Sequence, residues 1–151
     1  MNHPADHRRR QLLATGLAVL VTGPVLATPE QMAAAIGAFT GGAPLKPGKV
    51  TLEVATLVDN GNAVPVTVRV DSPMTVADHI SAIAIFNERN PQTDVALFTL
   101  GPRAGKAIVS TRIRMATSQK LVAVARTSDG AYWSGSADVI VTLAACIEGE
   151  G

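Results

Sequence analysis

Two hydrophobic periods divide the chain. In "TPEQMAAAIGAF", Met32, Ile36 and Phe39 fall near one face of a helix. Thr28 can cap it, Pro29 suits its first turn, and Gln31 stands where a capping box needs a side-chain acceptor. "TGGAPLKPG" is rich in turn formers and is expected to end the helix and lead into the first strand. After Lys49 the period becomes two. Val50, Leu52 and Val54 alternate with Thr51, Glu53 and Ala55, and Val64, Val66, Val68 and Val70 alternate with Pro65, Thr67 and Arg69. "DNGN" between them supplies the Asn-Gly step of a tight hairpin. "HISAIAIFN", "DVALFTL", "AIVSTRIRM", "KLVAVART" and "SADVIVTL" continue the strand-like pattern, with "NPQT", "GPRAG", "TSQ" and "SDG" as turns. About seven short strands in roughly a hundred residues predict an all-β, two-sheet antiparallel sandwich preceded by one short helix. The last strand is expected to end near Leu143. Beyond it, small residues, glycines and two acids bury almost nothing, which predicts a mobile tail.

The apolar run upstream of the helix has another meaning. "HRRRQLLATGLAVLVTGPVLATPE" has the basic start, apolar middle and small-residue cut site of a signal peptide. Arg9-Arg10-Gln11-Leu12-Leu13 reads as the core of a twin-arginine signal. Leu12 to Thr22 falls short of the roughly 20 residues of a spanning helix, so no membrane anchor is expected. Cleavage after Val25-Leu26-Ala27 would start the mature chain at Thr28, in the periplasm. The expected organisation is a signal peptide over 1–27, a helix-plus-sandwich domain over 28–143 and a flexible C-terminal arm over 144–151. Removing 1–27 takes away three of the 13 basic and one of the 12 acidic residues, leaving 124 residues with 10 basic and 11 acidic side chains. The basic pI therefore belongs to the precursor. Without a basic stretch interleaved with aromatics, nucleic acid is not an expected partner.

Elimination narrows the chemistry. Past residue 27 there is one histidine, His79, and one cysteine, Cys146, too few for an N/S metal cluster. No Gly-x-x-x-x-Gly-Lys-Ser/Thr phosphate loop is present; "GPRAGKA" reads as a glycine-containing turn. A Cys-His catalytic pair would require His79, in a strand-like run, to meet the tail. Neither metal nor cofactor is expected. Cys146 remains as the group capable of covalent chemistry, about 10 Å beyond the domain if Ala144 and Ala145 are extended. A leftover cysteine in an exported chain suggests intermolecular bonding or a reactive thiol. Glu148 and Glu150 disfavour the thiolate, so nothing local activates it. An exposed, unactivated thiol fits a carrier served by partner enzymes better than an enzyme. The alternatives are a stand-alone thiol redox or peroxide-sensing protein, and a structural module cross-linked through Cys146.

Over "NGNAVPVTVRVDSPMTVADHISAIAIFNERNPQTDVALFTLGPRAGKAIVSTRIRMATSQKLVAVARTSDGAYW" the sequence resembles SoxY, the sulfur-carrier subunit of the periplasmic thiosulfate-oxidising system. "SPM", "ADHI", "NP", "STRIRMATSQ" and the "DGAYW" segment occur in the family's order, and the resemblance extends over essentially the whole mature chain. It implies an immunoglobulin-like sandwich that forms a heterodimer with the smaller SoxZ. It also implies a non-catalytic role, with Cys146 bearing the substrate as a covalent adduct. SoxAX would join thiosulfate to Cys146, SoxB would release sulfate, and SoxCD, where present, would oxidise the remaining sulfur. The family usually finishes Gly-Gly-Cys-Gly-Gly. Here Ala144, Ala145, Cys146, Ile147, Glu148, Gly149, Glu150 and Gly151 occupy that place, a stiffer and more anionic arm.

Overall fold

The computed structural model describes residues 26–142. It opens with helix α1 (Pro29–Thr40). Thr28 caps α1 as the sequence predicts: its hydroxyl accepts from the Gln31 N–H at 3.3 Å, and the Gln31 side chain accepts from the Thr28 N–H at 3.0 Å. Gly41, in the left-handed conformation at φ 63°, closes the helix. Nine strands follow: β1 (Leu45–Pro47), β2 (Val50–Glu53), β3 (Leu57–Val58), β4 (Val64–Val70), β5 (Ile80–Asn87), β6 (Asp94–Thr99), β7 (Ile108–Ile113), β8 (Gln119–Thr127) and β9 (Tyr132–Val141). A single 3-10 turn, Pro102–Ala104, lies in the "GPRAG" stretch.

The strands form two sheets. The larger runs β1-β9-β8-β5-β6, with β3 also on β9; the smaller runs β2-β4-β7. Strand β4 shows why the alternation was informative: Val64, Val66, Val68 and Val70 are buried, while Pro65 and Arg69 face water. Those valines meet Ile80, Ile83, Ile85, Leu121, Ala123, Ala125 and Val139 of the larger sheet, with Met74 and Met115 filling the ends. Burying an aliphatic side chain of this size is worth ~1.5–3 kcal/mol, so this layer supplies most of the drive to fold.

Strand β5 departs from alternation because both its faces are covered. Ile83 and Ile85 enter the sandwich, while Ala84 and Phe86 meet Met32, Ala35, Ile36 and Phe39 of α1. The Phe39 ring lies 6.0 Å from Phe86 and 5.8 Å from Tyr132, the latter edge-on. The molecule thus has three layers: small sheet, large sheet and helix.

Two connections differ from the sequence-based expectation. "DNGN" is not a hairpin turn between β2 and β4. Those strands do pair, Val50 with Val70 through Glu53 with Thr67, but residues 54–63 first cross to the larger sheet, where β3 runs parallel to β9. Gly61 does not take the positive φ that a two-residue turn needs; it is buried and its carbonyl accepts from the Met115 N–H. The stretch 40–48 is likewise more than a linker, since Leu45–Pro47 lies parallel to Tyr132–Ser134. Positive φ at Gly48 and Lys49 (93° and 58°) then turns the chain away to the smaller sheet. There the Val50 carbonyl crosses so close to Gly135 of β9 that a Cβ at Gly135 would overlap it. The last strand also starts at Tyr132, earlier than the "SADVIVTL" run indicated.

Two glycine replacements test this packing in opposite directions. Gly135→Ala should lower stability by about 1–2 kcal/mol, because β2 must shift to admit the methyl. Gly37→Ala, in helix α1 with open space where the Cβ would stand, should raise it by about 0.5–1 kcal/mol. Urea unfolding midpoints at constant m-value read both.

Candidate functional site

The sequence points to the segment that follows β9, so the site begins with how β9 ends. Its final residues are hydrogen-bonded on both edges. On one side the Ile140 N–H donates to the Thr56 carbonyl (2.8 Å) and the Thr142 N–H to the Val58 carbonyl (3.0 Å). The Thr142 hydroxyl adds contacts to the Val58 and Asp59 carbonyls, at 3.5 and 3.3 Å. On the other side the Ser118 hydroxyl accepts from the Val141 N–H at 2.8 Å and reaches the Val141 carbonyl at 3.4 Å. Val58 and Val141 turn inward against the sandwich core. The backbone is therefore fixed through Thr142, the last described residue before the segment expected to form the arm.

Two loops beside the end of β9 are locked by side-chain amides. Asn90 Nδ2 donates to the Arg114 carbonyl at 2.6 Å, while its Oδ1 accepts from the Ala116 N–H (3.0 Å) and from Gln119 Nε2 (2.8 Å). Gln119 Oε1 in turn accepts from the Arg89 N–H at 2.8 Å, and Glu88 accepts from the Lys120 N–H at 3.3 Å. Asn87 Oδ1 accepts from the Asn90 N–H at 3.2 Å; its buried Nδ2 has no acceptor among the described residues. The 88–92 and 114–119 loops thus form one unit, and Ser118, which holds Val141, belongs to it. Sequence reasoning did not assign Asn87, Asn90 or Gln119 any role. The available signal was the "NP" and "STRIRMATSQ" segments, where amides flank strand ends and have backbone groups to satisfy.

His79 lies at the opposite end of the sandwich. Its Nδ1 is 3.1 Å from the Thr75 carbonyl, and its main chain pairs with Ser128 beyond the end of β8. The Ser128 end of β8 is joined by a short turn to the start of β9, whose first residue is Tyr132. From there to Thr142 is about 30 Å at ~3.3 Å per residue. Cys146 follows Thr142 by four residues, at most ~14 Å of chain. A Cys146–His79 catalytic pair within one chain is therefore out of reach. Among the described residues no group of three or more His, Cys, Asp or Glu is placed to hold a metal, and no helix is long and apolar enough to cross a membrane.

Several residues singled out in the sequence lie outside the described residues. These are Arg9 and Arg10 of the export signal, and Ala144, Ala145, Cys146, Ile147, Glu148 and Gly149 of the arm. Of the arm, the structure gives the point of departure.

The clamp of Asn90 should be essential to that point of departure. Asn90→Ala leaves the Ala116 N–H and Gln119 amide without an acceptor and should cost about 2–3 kcal/mol. Hydrogen exchange should accelerate at Ala116 and Val141 before the Ser128 amide at the far end responds.

The comparisons agree with the resemblance to SoxY. The profile of the family described as "Sulfur oxidation protein SoxY" matches residues 36–146, so its matched region closes on Cys146. Among solved structures, the sulfur carrier protein SoxY from Chlorobium limicola f thiosulfatophilum is 31% identical with a TM-score of 0.65. That match covers 77% of this chain and 100% of the other. Superoxide reductases (neelaredoxins) share the fold at lower identity. The Ignicoccus hospitalis protein is 15% identical with a TM-score of 0.57, covering 77% of this chain and 94% of its own. The Archaeoglobus fulgidus protein in the reduced form is 18% identical with a TM-score of 0.53, covering 64% and 98%. No curated protein matches by sequence. A profile match over most of the chain and a carrier aligned along its full length are findings of family, and this chain belongs to the SoxY family of sulfur carriers.

Proposed function

We propose that the protein carries thiosulfate-derived sulfur covalently on Cys146 and presents it, from the fixed end of β9, to separate enzymes in the periplasm. The observation that carries this reading is the root: backbone held on both edges through Thr142, with a single thiol four residues further on. A rigid root with a short lead suits delivery into another protein's cleft. It does not suit catalysis with a histidine of the same chain about 30 Å away. The family match, running to Cys146, supports the same assignment.

The chemistry divides among partners. Oxidative coupling joins the Cys146 sulfur to the sulfane sulfur of thiosulfate, giving a cysteine S-thiosulfonate; the thiol proton is released and two electrons pass to the haem enzyme SoxAX. Hydrolysis by SoxB then adds water across the sulfur–sulfonate bond, releasing sulfate and two protons and leaving a cysteine persulfide anion. SoxCD, where present, oxidises that outer sulfur. The carrier itself contributes the thiol and its placement, and a SoxZ-like subunit completes the heterodimer. Glu148 and Glu150 place like charge beside the thiosulfonate, at a cost of about 1 kcal/mol or less in screening water and more in an enclosed channel. Enzymes that accept this arm therefore need cationic groups along the channel.

Replacing Cys146 decides the central point. Cys146→Ser should abolish sulfur labelling of the C-terminal peptide in thiosulfate-grown cells, read by intact mass, while leaving the fold and SoxZ pairing unchanged. Bound sulfur on the serine variant would refute the carrier assignment. A sulfenic or mixed-disulfide product on the wild-type thiol would instead favour a redox protein, and a disulfide-linked dimer mass a structural module.

Export is a separate matter. Arg9→Lys with Arg10→Lys should strand precursor of full length in the cytoplasm, whereas the wild-type chain should appear in the periplasm beginning at Thr28. Normal processing of the double variant would indicate the general secretory route.

A further inference from the structure

The end of β9 carries a pair of aliphatic side chains that packing does not explain. Leu57 and Ile140 are register partners in the β3–β9 ladder, and each is 59% exposed. The next pair, Val58 and Val141, turns inward to the core, so alternation sends Leu57 and Ile140 together to the outward face. Helix α1 covers that face further along, over Val122, Val124 and Tyr132, and leaves this pair in water. Asp138, two residues before Ile140 on the same face and 81% exposed, and exposed Asp59 stand beside it; Lys120 is 3.8 Å from the Asp138 carboxylate.

We propose that Leu57 and Ile140 are the docking point for the active-site rim of the haem enzyme that loads the arm. The inference rests on the assignment of Cys146 as the attachment site. Reach sets the constraint. Thr142 is fixed, and Cys146 lies at most ~14 Å of extended chain beyond it. The deeper the enzyme's reacting group is recessed, the closer its rim must come to Thr142 before that group can touch the thiol. Ile140 is two residues before Thr142, with Leu57 paired beside it. A rim brought that close to Thr142 has this exposed apolar pair beside it. The complementary surface is apolar at its centre and bears basic groups outside, facing Asp59 and Asp138. Large aliphatics central to a contact and enclosed by polar residues are where truncation is felt most.

The test uses the full mature chain with its partner subunit, thiosulfate, and the haem enzyme that couples the two. Leu57→Thr with Ile140→Thr keeps strand-forming residues at both positions while removing apolar area, and circular dichroism checks the fold. Coupling to Cys146 is followed by intact mass at varied carrier concentration. The expected result is a KM for the carrier raised tenfold or more, with kcat at saturating carrier within twofold of wild type. A Cys146→Ser carrier should inhibit wild-type loading competitively, and adding the two threonines should remove that inhibition. Wild-type carrier that is never loaded would sink the attachment assignment and this inference with it. Normal wild-type loading with an unchanged KM for the threonine variant would overturn the docking inference alone. Loss of the partner subunit from the threonine variant would overturn it too, since the patch would then belong to the heterodimer.

Discussion

Strand β9 is hydrogen-bonded on both edges to its last residue, and the rest of the structure is organised around keeping it so. An antiparallel neighbour, β8, holds one edge from Tyr132 to Val139, and the Ser118 hydroxyl takes up Val141. The other edge is covered in two pieces, β1 at the start and β3 at the end, because the intervening β2 leaves for the smaller sheet. That departure depends on the positive φ at Gly48 and Lys49 and on the missing side chain at Gly135. An uncovered edge would invite pairing with other chains and would loosen the backbone from which the arm departs. The immediate gain is positional: Thr142 cannot wander, so the arm always starts from one place.

The remaining layers make that place stiff. The small sheet presses on one face of β5 and helix α1 on the other, through Phe39, Phe86 and Tyr132. At the arm end the amides of Asn90 and Gln119 tie two loops together, with Ser118 passing that rigidity to Val141. The end of β9 is thereby held in one geometry.

Legibility followed the range of the interactions. Helix α1 and its capping box could be read because Thr28 and Gln31 are three residues apart and satisfy each other locally. Strand β4 could be read because strict alternation records one buried face. The run Ala82 to Phe86 looked strand-like without alternation, and the structure gives the reason: a helix covers its second face. Strands β1 and β3 could not be read. They have three and two residues, and they are strands only because β9, far along the chain, pairs with them. "DNGN" does turn the chain, with the Asn60 side chain accepting from the Asn62 N–H, but it leads from β3 into β4, because residues after β2 first join β9. Cys146 was reached by elimination, and it lies outside the described residues. The amide clamp was not reached, because asparagine and glutamine near strand ends resemble ordinary turn formers until their partners are seen.

The split cover of β9 also bears on how the chain becomes folded. Leu45 pairs with Tyr132 and Leu57 with Ile140, separations of 87 and 83 residues. The earliest strands of the domain thus wait for the last one. While β9 is still being synthesised, β1 and β3 have no ladder to join, and β8 lacks an outer neighbour. Closure must wait until β9 is made, and loop entropy on that scale makes it slow. Through that interval the nascent chain shows unpaired strands and a half-covered core, the condition in which chaperones bind and chains aggregate. The same strand that gives the finished carrier its fixed point is the one whose late arrival leaves the unfinished carrier exposed.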